Sequence, residues 1–214
     1  MFTLTIIMLL IVAYLIGSIP TALIVSKLFY KMDIREHGSG NAGATNVVRV
    51  LGWKAGIPVI IVDVAKGWIA VYLVNFLCPC LMTPDQFVYL KIGMAGAVVL
   101  GHVFPAYANF RGGKGVATLL GIGIALYPLS IWIALAIFLV IVISTRYVSI
   151  ASMVAAISFP FIENFLFKQQ NVGLLILSFA VAIFVPLTHS KNIQRILKGE
   201  EKRFQVKSRK SENQ

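Results

Sequence analysis

Residues 116–144 read VATLLGIGIALYPLSIWIALAIFLVIVIS, uncharged throughout, with one proline, Pro128, near the middle. Read as a single helix kinked at that proline, the stretch crosses a bilayer once. Read as two short helices that turn there, it crosses twice and reverses the side on which everything after it emerges. A spanning helix needs about 20 largely apolar residues, range about 17 to 25. Five other stretches fit: Phe2–Leu23, Ile57–Leu77, Phe87–Tyr107, Ser149–Phe167 and Val172–Thr188. Basic residues separate the two readings. With two helices, Lys27–Lys54, Phe110–Lys114, Thr145–Tyr147 and the tail from His189 all emerge on one face, with five, two, one and eight basic residues, 16 of the 19. Only Lys66, Lys91 and Lys168 fall elsewhere. With one kinked helix the split is seven against nine. Lys and Arg concentrate on the cytoplasmic side of membrane proteins. The expectation is therefore an all-α, polytopic integral membrane protein of seven transmembrane helices, N-terminus outside and C-terminus cytosolic. A single domain covers 1–204, and 205–214 is a polar, disordered tail.

Composition agrees. Hydrophobic residues make up 58% of the 214 positions and charged residues 13%, and the mean hydropathy is +0.86. A soluble domain is about a quarter charged and roughly half apolar, so this chain cannot hide its apolar surface in one aqueous core. The net charge of +11 fits nucleic acid, anionic lipid or phosphorylated small molecules. So apolar a sequence excludes nucleic acid as the partner and leaves the bilayer and phosphorylated small molecules. Phe2–Ile16 lacks a basic leading region and a small-residue cleavage site, and it runs on into Gly17-Ser18-Ile19-Pro20. It reads as a first spanning helix rather than a cleaved signal. Cys78 and Cys80, one residue apart, have neither metal-site spacing nor the geometry for an easy disulfide. The carboxylates are too few and scattered to hold a divalent cation, and no cofactor is implied.

Four segments on the expected cytosolic face carry chemistry. In the first, Gly38, Gly40 and Gly43 alternate with small residues, so that backbone N–H groups can approach a ligand. Ser39, Asn41, Thr45 and Asn46 add hydrogen-bonding groups there, and Arg49 adds a fork suited to phosphate. In the second, His102 precedes Gly112, Gly113, Lys114 and Gly115, which lead into a helix that includes Thr118. A helix N-terminus with glycine access and a lysine is a ready anion site. That helix, Val116–Tyr127, spans about 18 Å against a hydrocarbon core of about 30 Å, so its start can lie below the surface. The third segment holds Arg146, Ser149 and Ser152, the two serines three apart on one helical face. In the fourth, His189, Asn192 and Arg195 share a face if the helix continues through them. Asp63 and Lys66, of opposite sign at i, i+3 inside the membrane, read as a pair supporting the site from below.

Together these segments resemble the bacterial acyl-phosphate:glycerol-3-phosphate acyltransferases, the PlsY family. The resemblance rests on GSGNxGATNxxR at 38–49, GHxFP at 101–105, GGKGVAT at 112–118 and HxxNIxR at 189–195, with GSIP at 17–20, DxxKG at 63–67 and TRY at 145–147. Beyond Arg195 the tail looks free to vary. The resemblance implies transfer of an acyl group from acyl phosphate to the 1-hydroxyl of glycerol 3-phosphate, giving lysophosphatidate and inorganic phosphate, in phospholipid biosynthesis. It also implies a functional link to a soluble phosphate acyltransferase that makes the donor. His189, Asn192, Lys114, Arg49 and Ser39 are then the candidate catalytic residues. Gly38, Gly40, Asn41, Gly43, Thr45, Asn46, His102, Gly112, Gly113, Gly115, Thr118, Arg146, Ser149, Ser152 and Arg195 are the candidate substrate-binding residues. The residue chemistry fits, because joining two phosphates to an acyl carbonyl calls for cations and N–H donors, with Arg49, Lys114 and Arg195 as clamps. The His-x4-Asp machinery of other glycerophosphate acyltransferases is absent: Ala42, Tyr107 and Gln194 stand five residues after His37, His102 and His189. By resemblance the acceptor's own phosphate serves as base, with His189 as the alternative base.

Two other function classes compete. A phosphate-ester carrier would also use basic glycine loops, but it needs polar groups reached from both faces, and the outer linkers carry little chemistry. A non-catalytic binder of anionic lipid would explain the basic tail but not the glycine motifs.

Overall fold

The computed structural model describes residues 2–77 and 82–204, and every regular element among them is helical. Cys78, Cys80 and the tail 205–214 lie outside the described residues. The elements in chain order are α1 (Phe2–Gly17), α2 (Thr21–Tyr30), α3 (Ala44–Leu51), α4 (Trp53–Tyr72), α5 (Val74–Leu77), α6 (Pro84–Val103), α7 (Val116–Leu126), α8 (Ser130–Thr145), α9 (Val148–Phe161), α10 (Val172–Thr188) and α11 (Ser190–Leu197). Short 3-10 turns at Ile34–Glu36 and Ala106–Ala108 and a π turn at Ile162–Leu166 join them.

Sequence explains where these helices start and stop. Thr83 and Gln86 form a reciprocal capping box at the start of α6, with Pro84 as its first helical residue, a position that needs no N–H. At 17–20, Pro20 has no N–H to return to the Ile16 carbonyl, so the ladder slips to a bond from Ile19 N at 3.3 Å and α1 ends. The uncharged stretch 116–144 breaks at Tyr127–Leu129, around Pro128. α7 then packs chiefly on α4, and α8 on α9.

Among the described residues, four helical runs are long and apolar enough to cross a bilayer: Thr3–Tyr30, Trp53–Phe76, Pro84–Ala108 and Val148–Leu166. α10 and α11 make a fifth if counted as one run bent by 57°, while α7 and α8 are shorter apolar helices. Large apolar side chains face outward along these runs, such as Ile143 at 77% and Phe76 at 73% exposure. Water would not tolerate so broad an apolar surface, whereas hydrocarbon does.

Glycines let the backbones meet. A Cβ on Gly17 would stand 2.1 Å from the Val98 carbonyl oxygen, and one on Gly101 would stand 2.1 Å from that of Tyr14. Between α4 and α7 the same holds for Gly67 against Thr118 at 2.2 Å and Gly121 against Val64 at 1.9 Å. In lipid, close packing replaces the hydrophobic drive between helices, so these two seams fix the frame on which the loops converge.

Candidate functional site

The first loop is built around Asn46, which is 1% exposed. Its Nδ2 donates toward the carbonyls of Ile34, His37 and Asn41 at 3.0, 2.9 and 3.0 Å, and its Oδ1 accepts from Ser39 N at 2.8 Å. Asn46 thus shapes the loop rather than presenting a free amide, a role its mere presence in a polar stretch could not reveal. Gly38 holds φ +67° in the turn so formed, a conformation open chiefly to glycine. Asp33 caps the preceding 3-10 turn, and Arg35 holds its carboxyl well below the usual carboxylate range. Arg35 also reaches the second loop, donating from a terminal nitrogen to the Ala108 carbonyl at 3.2 Å.

The second loop folds back onto α6. Gly112 N donates to the Val103 carbonyl at 3.1 Å and Gly113 N to that of His102 at 3.2 Å, satisfying carbonyls that the end of α6 leaves open. This corrects the expectation that these two amides support a phosphate. Gly112 and Gly113 instead permit contact: a Cβ on Gly113 would lie 2.3 Å from His102 Nε2. The loop delivers Lys114 and, through Gly115 at φ +81°, starts α7.

Beneath the loops lies a buried polar brace. Lys66 Nζ stands 2.9 Å from Asp63 Oδ1, with side-chain exposures of 4% and 3%. Lys66 also donates to the Ile19 carbonyl at 3.2 Å, Thr21 donates to Asp63 at 3.1 Å, and His102 Nδ1 lies 3.8 Å from the same carboxylate oxygen. A small cavity joins this brace to Ala42 of the first loop and to Gly112 and Gly113 of the second. The expected pairing of Asp63 with Lys66 is present, and it ties α4 to the break after α1 and to the end of α6.

The cations gather in a second cluster. Lys114 Nζ donates to Asn192 Oδ1. Asn192 Nδ2 donates to Glu201 Oε1 at 2.6 Å, Ser149 Oγ to the same oxygen at 2.8 Å, and Arg195 Nε stands 3.6 Å from Glu201 Oε2. Burial pushes the Lys114 ammonium down to about 8, opposed by the Glu201 carboxylate and reinforced by the guanidinium charges of Arg195 and Arg49. Burial likewise lowers Arg49, again with Glu201 opposing. The Arg49 Nε is buried without a hydrogen-bond partner among the described residues, an arrangement whose cost of about 1–3 kcal/mol or more an arriving anion would remove.

His189 is 3% exposed and sits at the bend between α10 and α11, so those helices do not continue as one. Pro186 lies within the last turn of α10, where its ring and missing N–H disturb the ladder. The His189 Nδ1 lies 2.8 Å from the Val185 carbonyl. A carbonyl can only accept, so Nδ1 carries the proton, and in the neutral ring Nε2 is left as an acceptor.

Three residues expected at the site point elsewhere. Ser152 donates to the Val148 carbonyl of its own helix at 2.8 Å. The Arg146 side chain is exposed; its carbonyl accepts from Phe204 N at 2.6 Å. Thr118 is fully buried against Gly67 of α4, and its hydroxyl has no hydrogen-bond partner among the described residues.

The residue that sequence reading missed is Glu201, placed beyond the point where the tail was expected to vary freely. Its signal was Gly199. At φ +71° it follows α11, with Gly199 N bonded to the Ile196 carbonyl at 3.0 Å and Glu200 N to that of Arg195 at 2.8 Å. This is a Schellman stop, which turns the chain back and brings Glu201 to Asn192 and Arg195.

Comparison with known proteins accords with this architecture. A family model described as glycerol-3-phosphate acyltransferase matches residues 7–199. The chain is 43% identical to the glycerol-3-phosphate acyltransferase of Chlorobaculum tepidum, over 94% of this chain and 97% of that one. It is equally similar, 43% with the same coverage, to that of Macrococcus caseolyticus. Among solved structures it resembles PlsY, an integral membrane glycerol 3-phosphate acyltransferase, in its glycerol 3-phosphate form, with a TM-score of 0.83 and 35% identity over 94% of this chain and 96% of the other. The lysophosphatidic acid form of the same protein matches with a TM-score of 0.80.

Proposed function

Because this chain belongs to the glycerol-3-phosphate acyltransferase family, we propose that it moves a fatty acyl group from acyl phosphate to the 1-hydroxyl of glycerol 3-phosphate. Lysophosphatidate and inorganic phosphate are the products. The observation that carries this reading is the meeting of Lys114, Arg49, Arg195, Asn192 and Ser149 around one anionic group. Cationic and polar donors so arranged suit phosphate oxygens.

The chemistry follows from that arrangement. Arg49, Lys114 and Arg195 clamp the two phosphates, which sets the acceptor hydroxyl against the donor carbonyl. As the hydroxyl oxygen attacks, charge grows on the carbonyl oxygen and then on the departing phosphate, and the same cations stabilise both. Phosphate leaves readily without a strong acid. The acceptor's own phosphate takes the hydroxyl proton, positioned by His189 and Asn192; His189 Nε2 is the alternative acceptor. Ser39, Gly38, Gly40, Asn41, Gly43 and Thr45 close the site from the first loop, and the first-turn amides of α7, with Gly115 and Thr118, add N–H donors. His102, Gly112, Gly113 and Asn46 hold these loops in place, and Ser152 and Arg146 flank Ser149.

The site faces the cytosol in this reading. With seven helices crossing and the N-terminus outside, 16 of the 19 basic residues fall on the inner face, and the concentration of Lys and Arg on the cytoplasmic side supports that count. The donor would come from a soluble phosphate acyltransferase, and residues 1–204 act as one domain.

The experiment is direct. Purified protein in lipid is given glycerol 3-phosphate with acyl phosphate, acyl-CoA or acyl carrier protein in turn, and lysophosphatidate and phosphate are measured. Product from acyl phosphate alone, with one phosphate released per acyl group, is expected. Turnover with acyl-CoA or acyl carrier protein but not with acyl phosphate contradicts the donor assignment.

A further inference from the structure

The anion at the centre of the cation cluster belongs to the chain itself. Glu201 takes hydrogen bonds from Ser149 and Asn192 and lies beside Arg195. Its side chain is only 8% exposed. The segment that carries it is fastened at both ends. The Schellman stop at Gly199 holds one end to α11. At the other, Phe204 N donates to the Arg146 carbonyl at 2.6 Å, and the Phe204 ring meets Trp53 edge to face at 5.8 Å. Between them, Arg203 lies over the Tyr147 ring at 5.8 Å. Residues 199–204 therefore form a strap from α11 to the α8–α9 linker and the start of α4.

The donors that Glu201 occupies are those that the proposed function needs. A Ser149 hydroxyl proton or an Asn192 amide proton cannot serve the carboxylate and a substrate phosphate oxygen at once. A carboxylate brings one negative charge and two acceptor oxygens. A phosphate monoester brings close to two charges and three oxygens, a better match to three cations. Resting on the reading of this cluster as a phosphate site, we propose that the 199–204 strap is a gate displaced by substrate, with the Glu201 carboxylate holding the phosphate position until a phosphorylated substrate takes it. With the strap in, the cations are neutralised in part and shielded from cytosolic anions. Displacement of Glu201 frees Ser149, Asn192 and Arg195 together, so binding and opening are one event. Apparent affinity is then the open-state affinity multiplied by the fraction of molecules in which the strap is open.

Hydrogen exchange tests this on the full-length protein in lipid nanodiscs, with and without glycerol 3-phosphate and, separately, inorganic phosphate, while calorimetry records binding. Ligands ordinarily slow exchange around their sites. The gate makes the opposite forecast for one segment: binding of either anion speeds exchange at Glu200–Phe204 several-fold. Phe204→Ala, which loosens the strap without touching a cation, should show fast exchange with no ligand and bind both anions several-fold more tightly. Glu201→Gln, which keeps shape and loses charge, should also bind them more tightly. Binding with slowed or unchanged exchange at Glu200–Phe204 overturns the gate and leaves the substrate assignment standing, as does unchanged or weaker anion binding in a folded Phe204→Ala protein. Failure of both anions to bind overturns the phosphate-site reading, and the gate with it.

Discussion

Lys114 stands beside an amide oxygen where the proposed reaction needs it beside a phosphate, and its burial has a measurable consequence. Its ammonium is held down to about 8 with Glu201 beside it, so the proton that attracts an anion is lost as pH rises through that value. The KM for glycerol 3-phosphate should therefore climb above pH 8, with the limb displaced upward to the extent that bound phosphate stabilises the charge. Lys114→Arg keeps its charge at every working pH, so whatever its baseline activity, that alkaline limb should vanish; a limb unchanged in the variant would assign it to another group. His189 offers a second test. If the substrate's phosphate is the base, His189→Ala raises the KM for the acceptor and leaves most of kcat. A collapse of kcat by about two to four orders of magnitude, the usual worth of a general base, would make Nε2 the proton acceptor. At this scale much was readable in the sequence: Arg49, Lys114, Ser149, Asn192 and Arg195 each carry a side chain that announces its chemistry, although only the fold brings them together. Glu201 was hidden because a carboxylate among cations on a basic tail looks like solvated charge, and only the left-handed turn at Gly199 brings it inward.

Helices and loops carry the site through contacts that a sequence shows only in part. The Asp63–Lys66 pair was legible from its spacing, whereas its attachments to Ile19, Thr21 and His102 required the fold. Removing one member of a buried pair leaves a stranded charge and costs about 3–5 kcal/mol. Asp63→Asn and Lys66→Met should each lower the thermal midpoint sharply, and the double variant should recover much of the loss. Equal loss in the double variant would show that the hydrogen bonds to neighbouring elements, not the charge balance, hold the brace. The glycines of the second loop were legible as a motif but misread as phosphate-binding amides. Their amides close the end of α6 instead, a bond that depends on the chain reversing at Phe104–Arg111 and that no local pattern displays. The condition on which His189, Asn192 and Arg195 would share a helical face is not met: the chain bends by 57° there, since Pro186 three residues earlier weakens the last turn of α10.

At the scale of the molecule, two glycine seams bring α1 against α6 and α4 against α7, and the loops that leave those helices meet. The helical character and the break at Pro128 could be read from hydropathy and basic charge, because lipid imposes helices wherever the backbone must satisfy itself. The convergence of the loops could not, since it rests on contacts such as Arg35 to Ala108, 73 positions apart. The account stands or falls on those loops forming one anion site at the inner face. Sealed vesicles of defined orientation, loaded with acyl phosphate in the bilayer, measure this when impermeant glycerol 3-phosphate is added outside. Inside-out vesicles should form lysophosphatidate at once, and right-side-out vesicles only after permeabilisation. Product from intact right-side-out vesicles, or from neither kind after permeabilisation, would contradict it.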